Sequence, residues 1–433
     1  MIQKVHRIPS KTFAALAEGS GGGGGARCLV GAQRSKHVLL LRRFVGLARS
    51  CTSAEACLAL RAYDQLAALQ AEHQEAAAAV IQHPAVGAWA KQAGDALASQ
   101  ERASAAELTW ISALAAAVAI RSRSPFNAEL SPVDGTVMIP SLGRAVTPVG
   151  NVRVTGRDVE MDGVSLSSDL NLDAAQWQAM HRLSATSEGR TIELAIDDLD
   201  PYRAPGMANA GDRLPAVEAA RWQSVLEDTW DLLVRQHTAV AEEIATMVRV
   251  LTPLRSPAGG HLSATSRDAS GAIFLSPPLD SVSLAVTLTH EVQHAKLSTL
   301  LDVVQMTLPD NGRRYYAPWR EDPRPVSGLL QGAYAFLGVA GFWLRQSLLA
   351  DGESAMAEFA RWRCAVRLVI DTLFECGRMT DPGMAFLSGM DLTLSRWEAE
   401  PLSAAALKAA SQASEEHRER WRQRNGEIPA TAT

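Results

Sequence analysis

The chain has 433 residues, enough for two or three domain-sized units or for one large domain with an insertion. Apolar residues make up 47% and the formal net charge is -5, so a sizeable core can form, and the charge balance points to neither nucleic acid nor an anionic membrane as partner. The five cysteines (Cys28, Cys51, Cys57, Cys364 and Cys376) are scattered, with no Cys-x-x-Cys pair, which speaks against a disulfide framework, a zinc ribbon or a three-cysteine iron–sulfur site.

The first ten residues contain charges and a proline but no apolar stretch, so no signal peptide is expected. Residues 1–130 are rich in Ala, Leu, Glu and Gln and read as an N-terminal helical region. The glycines at 21–25 read as a flexible loop, a helix restarts over 33–43, and Pro84 interrupts a second helical stretch. The longest apolar runs, such as 105–120, fall short of the roughly 18 residues that a spanning helix needs, so a soluble, cytoplasmic protein is expected.

Over 131–203 the period changes to short alternating stretches at 137–139, 152–154, 159–161 and 192–196, punctuated by glycines. This predicts a small antiparallel β-rich insertion, closed by the turn residues Asp197-Asp198-Leu199-Asp200-Pro201. From 204 to 433 the helical period returns. Helices are predicted over 217–236, 239–251, 284–304, 331–349, 353–374 and 403–422, with a loop or short strand over 261–278 and a polar, frayed tail from Asn425. The fold class is therefore mainly α with a small antiparallel β insertion, and the chemistry falls in the C-terminal helical half.

That chemistry is the run His290-Glu291-Val292-Gln293-His294. In a helix, residues four apart share a face, so two imidazoles can reach one divalent metal while Glu291, one step round, can touch a metal-bound water. The bland alternative is a pair of core histidines that happen to lie four apart. A third ligand is needed. The glycine and histidine of the extended zinc-peptidase motif are replaced by Leu297 and Leu300, and Glu321 is the only glutamate between Glu291 and Glu353. This weakens the zinc-peptidase reading without removing it. The other class with two histidines is non-haem iron(II), whose open positions take 2-oxoglutarate and dioxygen. The distal carboxylate of 2-oxoglutarate needs a cation, and Arg320 and Arg324 in Arg320-Glu321-Asp322-Pro323-Arg324-Pro325 can supply a guanidinium fork. Trp319 and Tyr334 flank this segment and are candidate pocket walls, whereas His261 and Arg267 could line the site from the preceding strand region.

Four stretches together resemble a known family. They are Ala32-Gln33-Arg34-Ser35-Lys36-His37, Asp197-Asp198-Leu199-Asp200-Pro201-Tyr202-Arg203, His290-Glu291-Val292-Gln293-His294-Ala295-Lys296-Leu297, and Ala317-Pro318-Trp319-Arg320-Glu321-Asp322-Pro323-Arg324-Pro325 with Leu330-Gln331-Gly332-Ala333-Tyr334-Ala335. They are similar to the HExxH-motif peptide-modification proteins that act on ribosomally made precursor peptides. The resemblance implies an iron(II)- and 2-oxoglutarate-dependent oxygenase that hydroxylates a peptide side chain at its β-carbon. His290 and His294 would be its metal ligands, and a co-encoded radical-SAM maturase a further partner. It also implies a histidine at position 336, where this chain has Phe336. Gln331, Glu321 and Asp322 are then the candidate third ligands, and a zinc peptidase or a non-catalytic peptide-binding member are the alternatives.

Overall fold

The computed structural model describes residues 6–99, 104–147, 150–161, 163–167, 169–256, 260–349 and 352–426. Residues 1–5, in the stretch expected to lack a signal peptide, lie outside them, as do residues 427–433 of the tail expected to fray from Asn425, while Asn425 itself ends the last helix. The chain opens with six helices: α1 (Ser10–Ala17), α2 (Gly22–Ala48), α3 (Ala54–Glu72), α4 (Gln74–Ile81), α5 (Pro84–Ala98) and α6 (Ala105–Ser122). Nine strands follow: β1 (Ala128–Leu130), β2 (Thr136–Ile139), β3 (Gly143–Val146), β4 (Val152–Val154), β5 (Val159–Met161), β6 (Val164–Ser165), β7 (Trp177–Ala179), β8 (His181–Ser187) and β9 (Arg190–Ile196). Then come α7 (Ala216–Gln236), α8 (Thr238–Met247), β10 (Val250–Pro253), β11 (Ser263–Thr265) and β12 (Ala272–Leu275). The chain ends with α9 (Ser281–Leu301), α10 (Val326–Ser347), α11 (Glu353–Glu375), α12 (Asp381–Glu398) and α13 (Ala404–Asn425). The protein is mainly α with a small β insertion.

Two of the three sheets are small and antiparallel, β1-β4-β5-β6 and β2-β3-β7. They share one core with α2–α6, built around Phe44, Trp89, Trp110 and Trp177. The third sheet has the order β11-β12-β10-β9-β8 and is mixed, because β9, β10 and β12 run parallel. It extends past residue 203, since β9 from the insertion pairs with β10 of the following region and β8 pairs with β9. Their inward side chains Leu183, Ile192, Leu194 and Ile196 join a second core with α7, α9, α10, α11 and α12. Residues 250–253 are a buried strand in the middle of this sheet, not the end of the helix expected over 239–251. The run Val-Leu-Thr-Pro is short, mostly apolar and ends at Pro253, which suits a buried strand as well as a helix terminus. The β8–β9 hairpin closes through Glu188 (φ 47°) and Gly189 (φ 71°), the two positive φ values that a tight twisted turn requires.

The glycine run does not form a loop. Gly21 and Gly22 have φ values of 131° and 54°, which turn the chain into α2, and Gly22–Gly25 make that helix's first turn. No side chain of α2 itself caps it. Instead Gly22 N donates to Glu243 Oε1 at 2.9 Å and Gly23 N to Glu242 Oε2 at 3.4 Å. Two carboxylates on α8 thus satisfy orphan amides and complement the helix dipole. Pro84 sits at the first position of α5, where its missing N–H costs nothing.

Two helices among the described residues, α6 and α10, are long and apolar enough to cross a membrane by length and composition, contrary to the expectation that no run reaches that size. More than half of each is buried inside the protein, as core helices are.

Candidate metal centre

α9 starts at Asp280, whose carboxylate accepts from Ser283 N at 2.8 Å while the Ser283 hydroxyl returns to Asp280, a capping box that fixes the helix start. Three turns on, the 3.6-residue period stacks His290 and His294. Their Nε2 atoms lie 3.2 Å apart, and the rings meet edge to face with centroids 4.7 Å apart. On the far side of the His294 ring, Nδ1 is 3.1 Å from Gln331 Oε1. An amide oxygen only accepts, so Nδ1 carries the proton and the Nε2 lone pair faces His290. The amide is oriented in turn, because Gln331 Nε2 donates to Ser298 Oγ at 3.3 Å. Burial pushes His290 down to about 3, with His294 adding to the effect, so its imidazole is neutral at physiological pH. Two bonds of about 2.1 Å meeting near a right angle span about 3 Å. The pair therefore fits a shared divalent ion.

Glu291 points the other way, toward the sheet. It is 1% exposed, and the Ser263 hydroxyl of β11 donates to its Oε1 at 2.7 Å. Oε2 has no hydrogen-bond partner among the described residues. Burial raises its pKa, against a partial offset from His294 and from the Ser263 and Thr265 hydroxyls. Ser263 and Thr265 are two apart on one strand and so share a face. β11 is also the edge strand of its sheet. α9 thus carries a metal-fitting pair and, one residue on from His290, a buried carboxyl group directed to a strand at the edge of the sheet.

The opposite face of α9 anchors the helix. Gln293 Nε2 donates to Gly19 O at 2.8 Å, and Lys296 Nζ reaches both oxygens of Glu243 at 2.9 and 2.8 Å. A Cβ on Gly338 would lie 2.6 Å from Gln293, so α10 approaches α9 closely only because glycine stands there.

The other residues singled out from the sequence separate into two groups. Gln331 and Phe336 are at the pair. Gln331 holds the Nδ1 side of His294, so it orients a ligand in the way that outer-shell partners do. The Phe336 ring meets His290 edge-on at 4.8 Å and is stacked between Trp319 at 4.9 Å and Trp362 at 4.1 Å. These three rings form an apolar wall beside the pair. A Cβ on Gly332 would come within 2.3 Å of Trp319, so that ring depends on the glycine too.

Tyr334 is not part of this wall. It is 1% exposed, donates to Leu16 O at 2.7 Å and packs on Phe386, toward α1 and α12. Glu321 is exposed and ion-paired with Arg424 of α13. Asp322 is exposed and accepts from Arg320 Nε at 3.0 Å and Arg324 NH1 at 2.9 Å. Both arginines therefore share one carboxylate, which leaves a net positive charge on the segment's Arg320–Asp322–Arg324 group. Arg267 is paired with Asp302, which also holds Lys36 at 2.8 Å, and His261 is exposed. His37 is buried, with Nδ1 2.8 Å from Ile81 O, and is not a surface residue.

Trp362, Ser263 and Thr265 were not legible as site residues, since they come from α11 and β11, far from the motif in sequence. Arg361 lies over the Trp362 ring at 4.5 Å and puts a further cation near the aromatic wall.

No protein-family model matches the chain, and no curated protein sequence matches it.

Because Phe336 lies directly against His290, it occupies a place from which a donor could reach the pair. Phe336→His is expected to tighten metal binding by about tenfold or more, each tenfold being about 1.4 kcal/mol. Competition with a chromophoric chelator measures it, and an unchanged affinity would show that position 336 does not point at the ion.

Proposed function

We propose that this protein is an iron(II)- and 2-oxoglutarate-dependent oxygenase that hydroxylates a side chain of a ribosomally made precursor peptide at its β-carbon, as the resemblance of its motif blocks implies. The observation that carries the reading is the pair itself: two imidazoles whose Nε2 atoms lie 3.2 Å apart, one oriented by Gln331, with the Phe336 ring against His290. A tetrahedral zinc peptidase site needs three protein ligands and keeps one position for water. A six-coordinate iron can take two imidazoles and still accept a chelating 2-oxoacid and dioxygen. Among the described residues, no third His, Cys, Asp or Glu joins His290 and His294 in a cluster of metal-ligating atoms. That favours a metal whose coordination is completed by the cosubstrate.

In this reading His290 and His294 would hold the iron, which supplies the oxidising chemistry when bound. One atom of dioxygen enters the substrate C–H bond and the other converts 2-oxoglutarate to succinate and carbon dioxide, so atoms and electrons balance. Gln331 keeps the His294 lone pair aimed at the metal. Trp319, Phe336 and Trp362 exclude water from the reacting side. Glu291, with one free oxygen, would accept a hydrogen bond from a peptide amide or a water. The edge strand β11 would pair with an extended peptide, the recognition mode in which main-chain bonds supply affinity. Arg320 or Arg324 would hold the distal carboxylate of 2-oxoglutarate after exchanging Asp322 for it.

The test is mass spectrometry of a cognate precursor peptide incubated with the protein, iron(II), oxygen and 2-oxoglutarate. A gain of one oxygen atom with matching succinate is expected. One observation favours a second reading: Glu291 beside the pair and an open edge strand are also what a zinc peptidase uses. Backbone cleavage without oxygen gain would move the assignment there.

A further inference from the structure

A second group of metal-type ligands lies away from α9, on residues the proposed oxygenase chemistry does not use. His83 precedes Pro84 at the start of α5, and Asp197 and Asp200 lie in the turn that leaves β9. The turn orients the carboxylates by its own backbone. Asp197 Oδ1 accepts from Leu199 N at 3.3 Å and Asp200 N at 2.9 Å, and Asp200 Oδ1 accepts from Tyr202 N at 2.8 Å. Asp198 is directed elsewhere, to Arg213 and to Leu214 N. The second oxygen of Asp200 is left without a hydrogen-bond partner among the described residues. His83 Nε2 stands 3.8 Å from Asp197 Oδ2, and one donor atom from each of the three residues lies within 4.8 Å of the others.

All three side chains are deeply buried, His83 at 5%, Asp197 at 1% and Asp200 at 0% exposure. Neither nitrogen of His83 has a hydrogen-bond partner among the described residues, and neither does Asp200 Oδ2. Orphaned buried polar atoms of this kind are uncommon in native proteins, and two adjacent buried carboxylates are costly without a counter-charge. The nearby Arg203 acts on both carboxylates through space, against the larger effect of burial, but its guanidinium bonds to neither. Its NH1 and NH2 donate to the carbonyls of Asp200 and Gly211, and its Nε is unpartnered. Burial raises both carboxyl pKa values, Asp197 to about 6, and among the described residues no side-chain cation bonds to either carboxylate, whereas a dication between the three donors would hold both ionised.

We propose that His83, Asp197 and Asp200 bind a divalent transition-metal ion of the zinc, manganese or iron(II) class, independently of His290 and His294. One imidazole with two carboxylates is a mixed nitrogen–oxygen set that suits these ions better than calcium or magnesium, which prefer oxygen alone. Bonds of about 2.1 Å allow ligand atoms to stand up to roughly 4 Å apart, so the cluster closes onto an ion with side-chain shifts of about half an ångström. His83 also lines a cavity of about 510 Å³ together with Arg121, Arg182 and Arg249. Burial and these arginines hold the imidazole neutral, at about 3, which is the state that ligates metal. The ion would tie the α4–α5 corner of the N-terminal bundle to the end of β9, joining the two halves of the fold.

The test uses the full chain carrying His290→Ala and His294→Ala, so that its outcome does not depend on the α9 pair. After chelator treatment and re-equilibration with zinc(II), this protein is expected to retain one equivalent of zinc and to unfold at a higher temperature with zinc than without. Adding Asp200→Asn keeps the Tyr202 N acceptor and removes one buried charge, so folding should survive. It is expected to weaken zinc binding at least about a hundredfold, beyond the ten- to hundredfold typical of outer-shell changes, and to abolish the thermal shift. Absence of bound zinc in the His290→Ala/His294→Ala protein would overturn the proposal. So would undiminished zinc binding after Asp200→Asn.

Discussion

His290→Ala and His294→Ala are each expected to reduce iron at the α9 site to background while leaving the helix in place. The helix does not depend on the imidazoles. It is capped at Asp280, its buried face carries Leu284, Leu288, Val292 and Leu297, and Gln293 and Lys296 tie it to Gly19 and Glu243. The metal would depend on both rings, because the two Nε2 atoms are the donors that converge there. Removing one leaves a single imidazole, too few bonds to hold a labile ion against water. Circular dichroism should be unchanged in both variants, and hydroxylation should fall at least about a thousandfold, or about 4 kcal/mol at 1.4 kcal/mol per tenfold. Full iron occupancy at this site in either variant would refute the assignment.

Lys296→Met is expected to destabilise the protein by about 3–5 kcal/mol, the cost of stranding the partner of a buried ion pair. Lys296 and Glu243 are 1% and 3% exposed, with both carboxylate oxygens within 2.9 Å of Nζ. Burial lowers the Lys296 pKa, with Glu243 opposing the shift. Glu243 also caps Gly22 at the start of α2, and Lys296 Nζ reaches Gly19 O at 3.3 Å. The pair therefore pins α9, α8 and the α1–α2 turn together, two residues beyond His294. Glu243→Gln should cost less than Lys296→Met, because the amide oxygen can still accept from Gly22. Urea denaturation at neutral pH checks both, and a loss below about 1 kcal/mol for Lys296→Met would show that the pair contributes little.

How much of this was legible in the sequence depended on distance along the chain. The i, i+4 spacing of His290 and His294 is local, and the structure brings their rings together as that spacing predicts. Most helices were visible from their period, although α12 was missed and β10 was read as the end of a helix, because a four-residue apolar run has no period to read. The glycine run was misread because the carboxylates that cap it come from Glu242 and Glu243 on another helix. Likewise, sheet membership of β8 and β9 is decided by strands that come later in the chain. The aromatic wall joins Trp319, Phe336 and Trp362 from three segments, and the His83–Asp197–Asp200 group joins two halves of the fold. Neither has a spacing that sequence could reveal. Asp197-Asp198-Leu199-Asp200-Pro201 was read as turn chemistry, which it is, but the second oxygens of Asp197 and Asp200 emerge only in three dimensions.

The central claim is that the α9 pair holds an iron that chelates 2-oxoglutarate. It is tested most directly by titrating 2-oxoglutarate into the iron(II)-loaded protein without oxygen and following visible absorption. The account predicts a saturable charge-transfer band that is absent from His294→Ala and unaffected by Asp200→Asn. No band in the iron-loaded wild type, or an equal band in His294→Ala, would contradict it.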